Sequence, residues 1–384
     1  MQNFSFHNPV KIIFGRGQIG SLTREVPLES KVLLLYGGGS IMRNGVHEQV
    51  RRALARHHLL EFGGIEPNPR YETLMRAVEL CRREGVEFLL AVGGGSVLDG
   101  AKFIAAAVPY GGDPWDFLSK RVRPAAALPI GTVLTLPATG SEMNSYAVIT
   151  RESSQEKVSF GSPLLFPVFS VLDPETTFSL PPRQVGNGIV DAFAHVMEQY
   201  LTFPADAPLQ DRFSEAILRT LIEEGPRTVA APQEYEPRAA IMWCAAMALN
   251  GIIGCGVPQD WSTHAIGHEL TALHGLDHAQ TLAIILPSLL WVRREAKGDK
   301  LLQYAERVWD LREGNAAARI EGAIVRTREF FESVGNATHL TSYGIGAERF
   351  VEIIQRMERK GMFPLGERRE LAPEHVLEIL SLSR

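Results

Sequence analysis

Twice in the first hundred residues an apolar run breaks into the same four residues. Val32-Leu33-Leu34-Leu35-Tyr36 leads into Gly37-Gly38-Gly39-Ser40, and Phe88-Leu89-Leu90-Ala91-Val92 leads into Gly93-Gly94-Gly95-Ser96. Apolar runs without alternation suit strands covered on both faces, which is the condition of a parallel sheet. Between the two runs, from Arg43 to Gly85, the pattern has a helical period, with Leu74, Val78 and Cys81 on one face. The rhythm is β-α-β and predicts an open, mostly parallel sheet. Further strands are expected at Gly131–Leu136 and Val168–Leu172.

The texture changes at Leu180-Pro181-Pro182-Arg183, a pair of prolines suited to a boundary. Beyond it helical patterns dominate, over Val185–Leu201, Gln210–Glu224, Pro237–Asn250 and Trp261–Leu273, and from Leu282 onward. The expected architecture is therefore α/β plus all-α. An N-terminal Rossmann-like domain over residues 1–180 carries a mostly parallel sheet and binds a dinucleotide. A helical domain over residues 181–384 follows. The composition, with 45% hydrophobic and 22% charged residues, is that of an ordinary globular protein. A net charge of −5 gives no reason to expect nucleic acid or an anionic membrane as partner. No apolar run is long enough to span a bilayer, no signal peptide opens the chain, and three scattered cysteines make no disulfide framework. These features predict a cytoplasmic protein.

A glycine-rich turn after a buried strand lets backbone N–H groups reach a phosphate, and the following helix adds its positive end. Two such turns suit the two halves of a dinucleotide, although neither is the G-x-G-x-x-G fingerprint. NAD enzymes place a carboxylate where it meets the adenosine ribose hydroxyls and repels a 2′-phosphate. Gly37, Gly38, Gly39 and Ser40 include no acid, and their amides with the Ser40 hydroxyl favour NADP(H). Asp99 lies too far into the next helix to cap it, and could reach the nicotinamide amide or a ribose.

The strongest chemical signal is a histidine cluster. His264, His268, His274 and His278 fall within fifteen residues, of 11 histidines in the chain. His264 and His268 share a helical face, and Gly275 can end that helix and turn His278 back toward it. Asp191 and His195 form a second pair four apart, among apolar neighbours. A buried carboxylate needs a cation or several donors. One Asp and three His make an oxygen and nitrogen set suited to Fe2+ or Zn2+. A hydrogen-bonded Asp–His pair without an ion would explain either pair alone; two pairs and His278 together favour the ion.

At these residues, and in Gly93-Gly94-Gly95-Ser96-Val97-Leu98-Asp99-Gly100-Ala101-Lys102, the chain resembles the iron-containing (group III) alcohol dehydrogenases, on their NADPH-dependent aldehyde reductase and butanol dehydrogenase branch. The resemblance covers essentially the whole chain and implies a dehydroquinate synthase-like two-domain fold. It implies metal ligation by Asp191, His195, His264 and His278, with His268 near the metal and substrate but not a ligand. From that position His268, or an ordered water and ribose hydroxyl, is expected to relay the proton. It implies cofactor contacts from Gly94, Gly95, Ser96, Asp99, Thr135, Thr139, Asn68, Asn144 and Lys157. NAD-using relatives carry an Asp aligned with Gly38, whereas Leu136 here replaces the second of two usual threonines. The implied activity is interconversion of small aldehydes and alcohols by a homodimer. Two alternatives are a glycerol or polyol dehydrogenase, which an acid in the first glycine turn would favour, and a 3-dehydroquinate synthase-like lyase, which would need a pocket rich in Lys and Arg.

Overall fold

The computed structural model describes residues 1–384. The chain forms two compact units. His7–Leu180 with Pro232–Met242 make up an α/β unit; Met1–Phe6, Pro181–Ala231 and Trp243–Arg384 make up a helical unit.

The α/β unit holds strands β1 (Lys11–Phe14), β2 (Lys31–Tyr36), β3 (His58–Phe62), β4 (Phe88–Gly94), β5 (Ile130–Leu136), β6 (Tyr146–Arg151), β7 (Glu156–Gly161) and β8 (Phe169–Leu172). Six of them form one sheet in the order β1-β8-β5-β4-β2-β3, every neighbouring pair parallel. Val32, Leu33, Leu34 and Leu35 are wholly buried, as are Leu89, Leu90, Ala91 and Val92. The apolar runs thus occupy neighbouring central strands, with Val32 opposite Phe88. Helices α1 (Val46–Ala53), α2 (Tyr71–Glu84) and α3 (Gly95–Ala107) fill the connections. β6 and β7 pair apart from the sheet as an antiparallel hairpin.

In the helical unit, α4 (Pro182–Tyr200) and α5 (Pro208–Ala230) come first. Then follow α6 (Ser262–His274), α7 (His278–Val292), α8 (Gly298–Arg307), α9 (Ala316–Ser333), α10 (Phe350–Arg359) and α11 (Pro373–Leu382). The stretch expected as helical from Leu282 onward is therefore several helices, the first beginning at His278. From Gly188 to Tyr200 every residue of α4 is buried, the polar Asp191, His195, Glu198 and Gln199 included. Its anchor is Phe193, whose ring lies 5.2 Å from that of Phe330 and 5.3 Å from that of Phe331 on α9. No helix is long and apolar enough to cross a membrane.

Candidate metal centre and dinucleotide cradle

Helix α4 places Asp191 and His195 one turn apart, with Phe193 holding the stretch between them. Helix α6 begins at Ser262, whose backbone N–H donates to the Asp260 carboxylate at 3.0 Å; that carboxylate also pairs with Lys297 at 2.9 Å. One turn from its end, Glu269 is pinned by Arg356 at 2.7 Å and also by Lys360. Gly275 takes the left-handed conformation (φ 70°) and donates to the Thr271 carbonyl, closing α6. A new helix starts at once: Asp277 caps α7 and its backbone N–H donates to Gln280 at 3.0 Å, while its carboxylate is held by Asn187 at 2.8 Å. His278, the first residue of α7, is fixed by that cap.

These constraints converge. Ligand atoms of Asp191, His195 and His264 all lie within 4.8 Å of one another, and all three residues are buried. His278 Nε2 stands 3.6 Å from Asp191 Oδ1, and His195 Nε2 stands 3.9 Å from the same oxygen. The His268 ring centroid lies 5.1 Å from that of His278 and 6.1 Å from that of His264, at the margin of the cluster. His274 lies in the same short stretch but outside the set of converging ligand atoms.

The electrostatics fit a cation. Asp191 Oδ1 is buried without a hydrogen-bond partner, an expensive state for a carboxylate oxygen unless a positive charge sits beside it. Burial pushes His195 down to about 4, so its imidazole is neutral and can donate a lone pair at neutral pH. Glu198, which the sequence reading missed, is 4% exposed; its carboxylate accepts from the His264 backbone N–H at 3.2 Å and pairs with His264 Nδ1. That contact leaves Nε2 as the nitrogen for ligation, the usual task of a carboxylate behind a metal histidine. The signal was available: a second acid three residues past His195 in an apolar helix, where burial now holds its carboxyl well above the usual range. The donor set has no thiolate; Cys81, Cys244 and Cys255 are free and buried elsewhere.

The second glycine turn is a backbone construction. Gly94 is extended and Gly95 starts α3. A Cβ at Gly95 would lie 2.5 Å from Thr139 Oγ1 and 2.6 Å from its methyl carbon, so only glycine allows this close approach. Ser96 Oγ accepts from the Asn68 backbone N–H at 3.2 Å, and Lys157 Nζ donates to Asn68 Oδ1 at 2.9 Å. Asn68, Ser96 and Lys157 are thus one linked group. In the first turn Gly39 is left-handed (φ 87°) ahead of Ser40, Gly37 packs near the Ile65 carbonyl, and Gly38 faces open space.

Below the second turn lies a buried polar network. Lys102, with no exposure, donates to Ser141 Oγ (2.8 Å), Asn144 Oδ1 (3.0 Å) and the Tyr146 carbonyl (2.8 Å). Asp99 accepts from Ser141 Oγ at 2.6 Å and from the Val148 N–H at 2.9 Å, so each of its oxygens already has a protein donor. Thr135 is buried on β5, and the Thr139 carbonyl accepts from Asn144 Nδ2 at 3.3 Å. Burial pushes Lys102 down to about 8 and Glu142 up to about 7.

Residues 9–174 match the iron-containing alcohol dehydrogenase family, and residues 186–383 match its C-terminal domain family. The chain is 55% identical over 376 residues to the NADPH-dependent aldehyde reductase YqhD of Escherichia coli, covering 97% of each chain. The substrate- and cofactor-free structure of aldehyde reductase YqhD from E. coli superposes with a TM-score of 0.95 at 52% identity, each chain covered completely. The NADH-dependent butanol dehydrogenase A of Thermotoga maritima also superposes at 0.95, with 37% identity over 100% of this chain and 99% of that one. The chain belongs to the iron-containing alcohol dehydrogenase family.

Proposed function

We propose that the protein is an NADP(H)-dependent, divalent-metal-dependent alcohol dehydrogenase and aldehyde reductase acting on short- to medium-chain aldehydes and primary alcohols. The observation that carries this reading is the buried, unpartnered Asp191 Oδ1 with imidazoles of His195 and His278 within 4 Å of it. We read Asp191, His195, His264 and His278 as ligands of one Fe2+ or Zn2+ ion, since oxygen and nitrogen donors suit both. We read Gly37–Ser40, Gly94–Ser96, Asn68, Asp99, Thr135, Thr139, Asn144 and Lys157 as the dinucleotide site, within an α/β domain over residues 1–180 followed by a metal-binding domain over residues 181–384. The absence of an acid in the first turn supports NADP(H). The E. coli and T. maritima relatives carry the names of different cofactors, so the turn itself is the discriminating feature. A cytoplasmic homodimer completes the reading: free cysteines suit a reducing compartment, and soluble oligomers are usually symmetric.

Bound metal supplies a Lewis acid for the substrate oxygen and reduced nicotinamide supplies hydride. The chain's residues do the rest. Asp191 contributes the single anionic ligand. Burial keeps His195 neutral, and Glu198 orients His264. His268, at the edge of the cluster, would hold and donate the proton that the substrate oxygen takes up on reduction. In the α/β unit, the open backbone at Gly38 and the Ser40 hydroxyl leave room for a 2′-phosphate.

The test follows oxidation of NADPH and NADH with butanal, with and without a chelator. Faster turnover with NADPH, abolished by chelation and restored by Fe2+ or Zn2+, is expected. Equal rates with both cofactors would remove the NADP assignment.

A further inference from the structure

The helical unit carries a second charged site, built from residues with no part in the metal cluster. A pocket of about 680 Å3 is lined by five arginines, Arg212, Arg219, Arg307, Arg312 and Arg319, from α5, α8, α9 and the segment joining the last two. Three carboxylates share it, Glu215, Glu306 and Asp310. Five guanidiniums against three carboxylates leave two positive charges over.

The acids orient the arginines without exhausting them. Glu215 accepts from Arg212 Nη1 at 2.9 Å and Arg307 Nη1 at 3.0 Å, and is itself fixed by Tyr200 Oη and Gln303 Nε2, both at 3.1 Å. Asp310 accepts from Arg219 Nη1 at 3.1 Å, and Glu306 from Arg319 Nη1. Each guanidinium has five N–H donors, so each of these contacts uses a small part of the supply. Arg319 Nε is buried with no acceptor. A preorganised set of planar forks with surplus positive charge matches a tetrahedral oxyanion better than a cation or an apolar ligand. We propose that this pocket binds a multivalent phosphate, at a site separate from the dinucleotide cradle.

Inorganic pyrophosphate is the first probe, titrated calorimetrically into the metal-loaded protein already holding one equivalent of NADPH. Saturable uptake of one pyrophosphate per chain is expected. The variant carrying Arg219→Ala and Arg312→Ala should bind it at least tenfold more weakly while reducing butanal at the wild-type rate. Those side chains are 43% and 75% exposed, so their removal spares the core. Heat from metal extraction by pyrophosphate would persist in the variant and is thereby separated. A competition arm with ADP distinguishes sources: displacement of pyrophosphate assigns the site to a nucleotide's phosphate tail, and no displacement assigns it to free phosphates. Absence of saturable uptake, or equal affinity in the variant, would overturn the proposal.

Discussion

The candidate metal centre and the candidate dinucleotide cradle are made from opposite materials. In the helical unit, side chains form the site: one carboxylate and several imidazoles on α4, α6 and α7, each held by a cap, an ion pair or an aromatic contact. In the α/β unit the absence of side chains forms it, with Gly95 pressed against Thr139 and Gly38 facing open space. The first kind of site depends on which atoms are donated. The second depends on what is kept out of the way. A single substitution should therefore destroy chemistry in one and retune preference in the other.

Four outcomes would break or sharpen that contrast. The largest is expected from His195→Ala, which removes one of the proposed ligands from the buried cluster. Activity should fall about thousandfold, or about 4 kcal/mol of barrier, with bound metal lost in parallel by mass spectrometry. An active, metal-loaded variant would end the side-chain account.

The next concerns Glu142, which lies under the cradle with no exposure and no hydrogen-bond partner for either oxygen. Burial pushes it up to about 7 from an ordinary carboxyl value of 4.5. Between those values the folded state holds a proton that the unfolded chain has released, so stability falls as pH rises through this window. The full contribution is about 3 kcal/mol. Glu142→Gln should remove that fall in chemical unfolding at pH 5 and pH 8, and an unchanged pH dependence would exclude Glu142 as its source.

Glu198→Gln should weaken metal binding by about 10- to 100-fold, the usual effect of losing a carboxylate behind a metal histidine. Equilibrium dialysis against Zn2+ reads it, and undiminished affinity would reduce Glu198 to a packing role. The smallest effect belongs to the backbone site. Gly38→Asp introduces a carboxylate into open space, so folding should be unaffected while the NADPH-over-NADH ratio of kcat/KM drops about tenfold by repulsion of the 2′-phosphate. An unchanged ratio would separate Gly38 from the adenosine ribose.

The same contrast explains what could be read before the structure. β2, β4, β5 and β8 were legible because central strands bury both faces and so read as continuous apolar runs. β1 and β3 were not, since they lie at the sheet edges and carry charged residues such as Lys11 and Glu61. The β6–β7 hairpin is short and half-exposed, and gives no clean alternation. The histidines and Asp191 stood out by residue type and spacing, and the turn at Gly275 followed from glycine's freedom at positive φ. Glu198 and Glu142 were hidden because a lone acid in a sequence looks solvated. Only packing reveals that each is buried. Asp99 shows the same limit: its position in α3 was readable, but not that Ser141 and the Val148 N–H would each take one of its oxygens.

The most direct test of the central claim is metal stoichiometry by native mass spectrometry on the wild type, Asp191→Asn and His268→Ala. One Fe2+ or Zn2+ per chain is expected for the wild type and for His268→Ala, and none for Asp191→Asn. Full occupancy after loss of the Asp191 carboxylate, or a wild type that reduces butanal while demonstrably metal-free, would contradict the account.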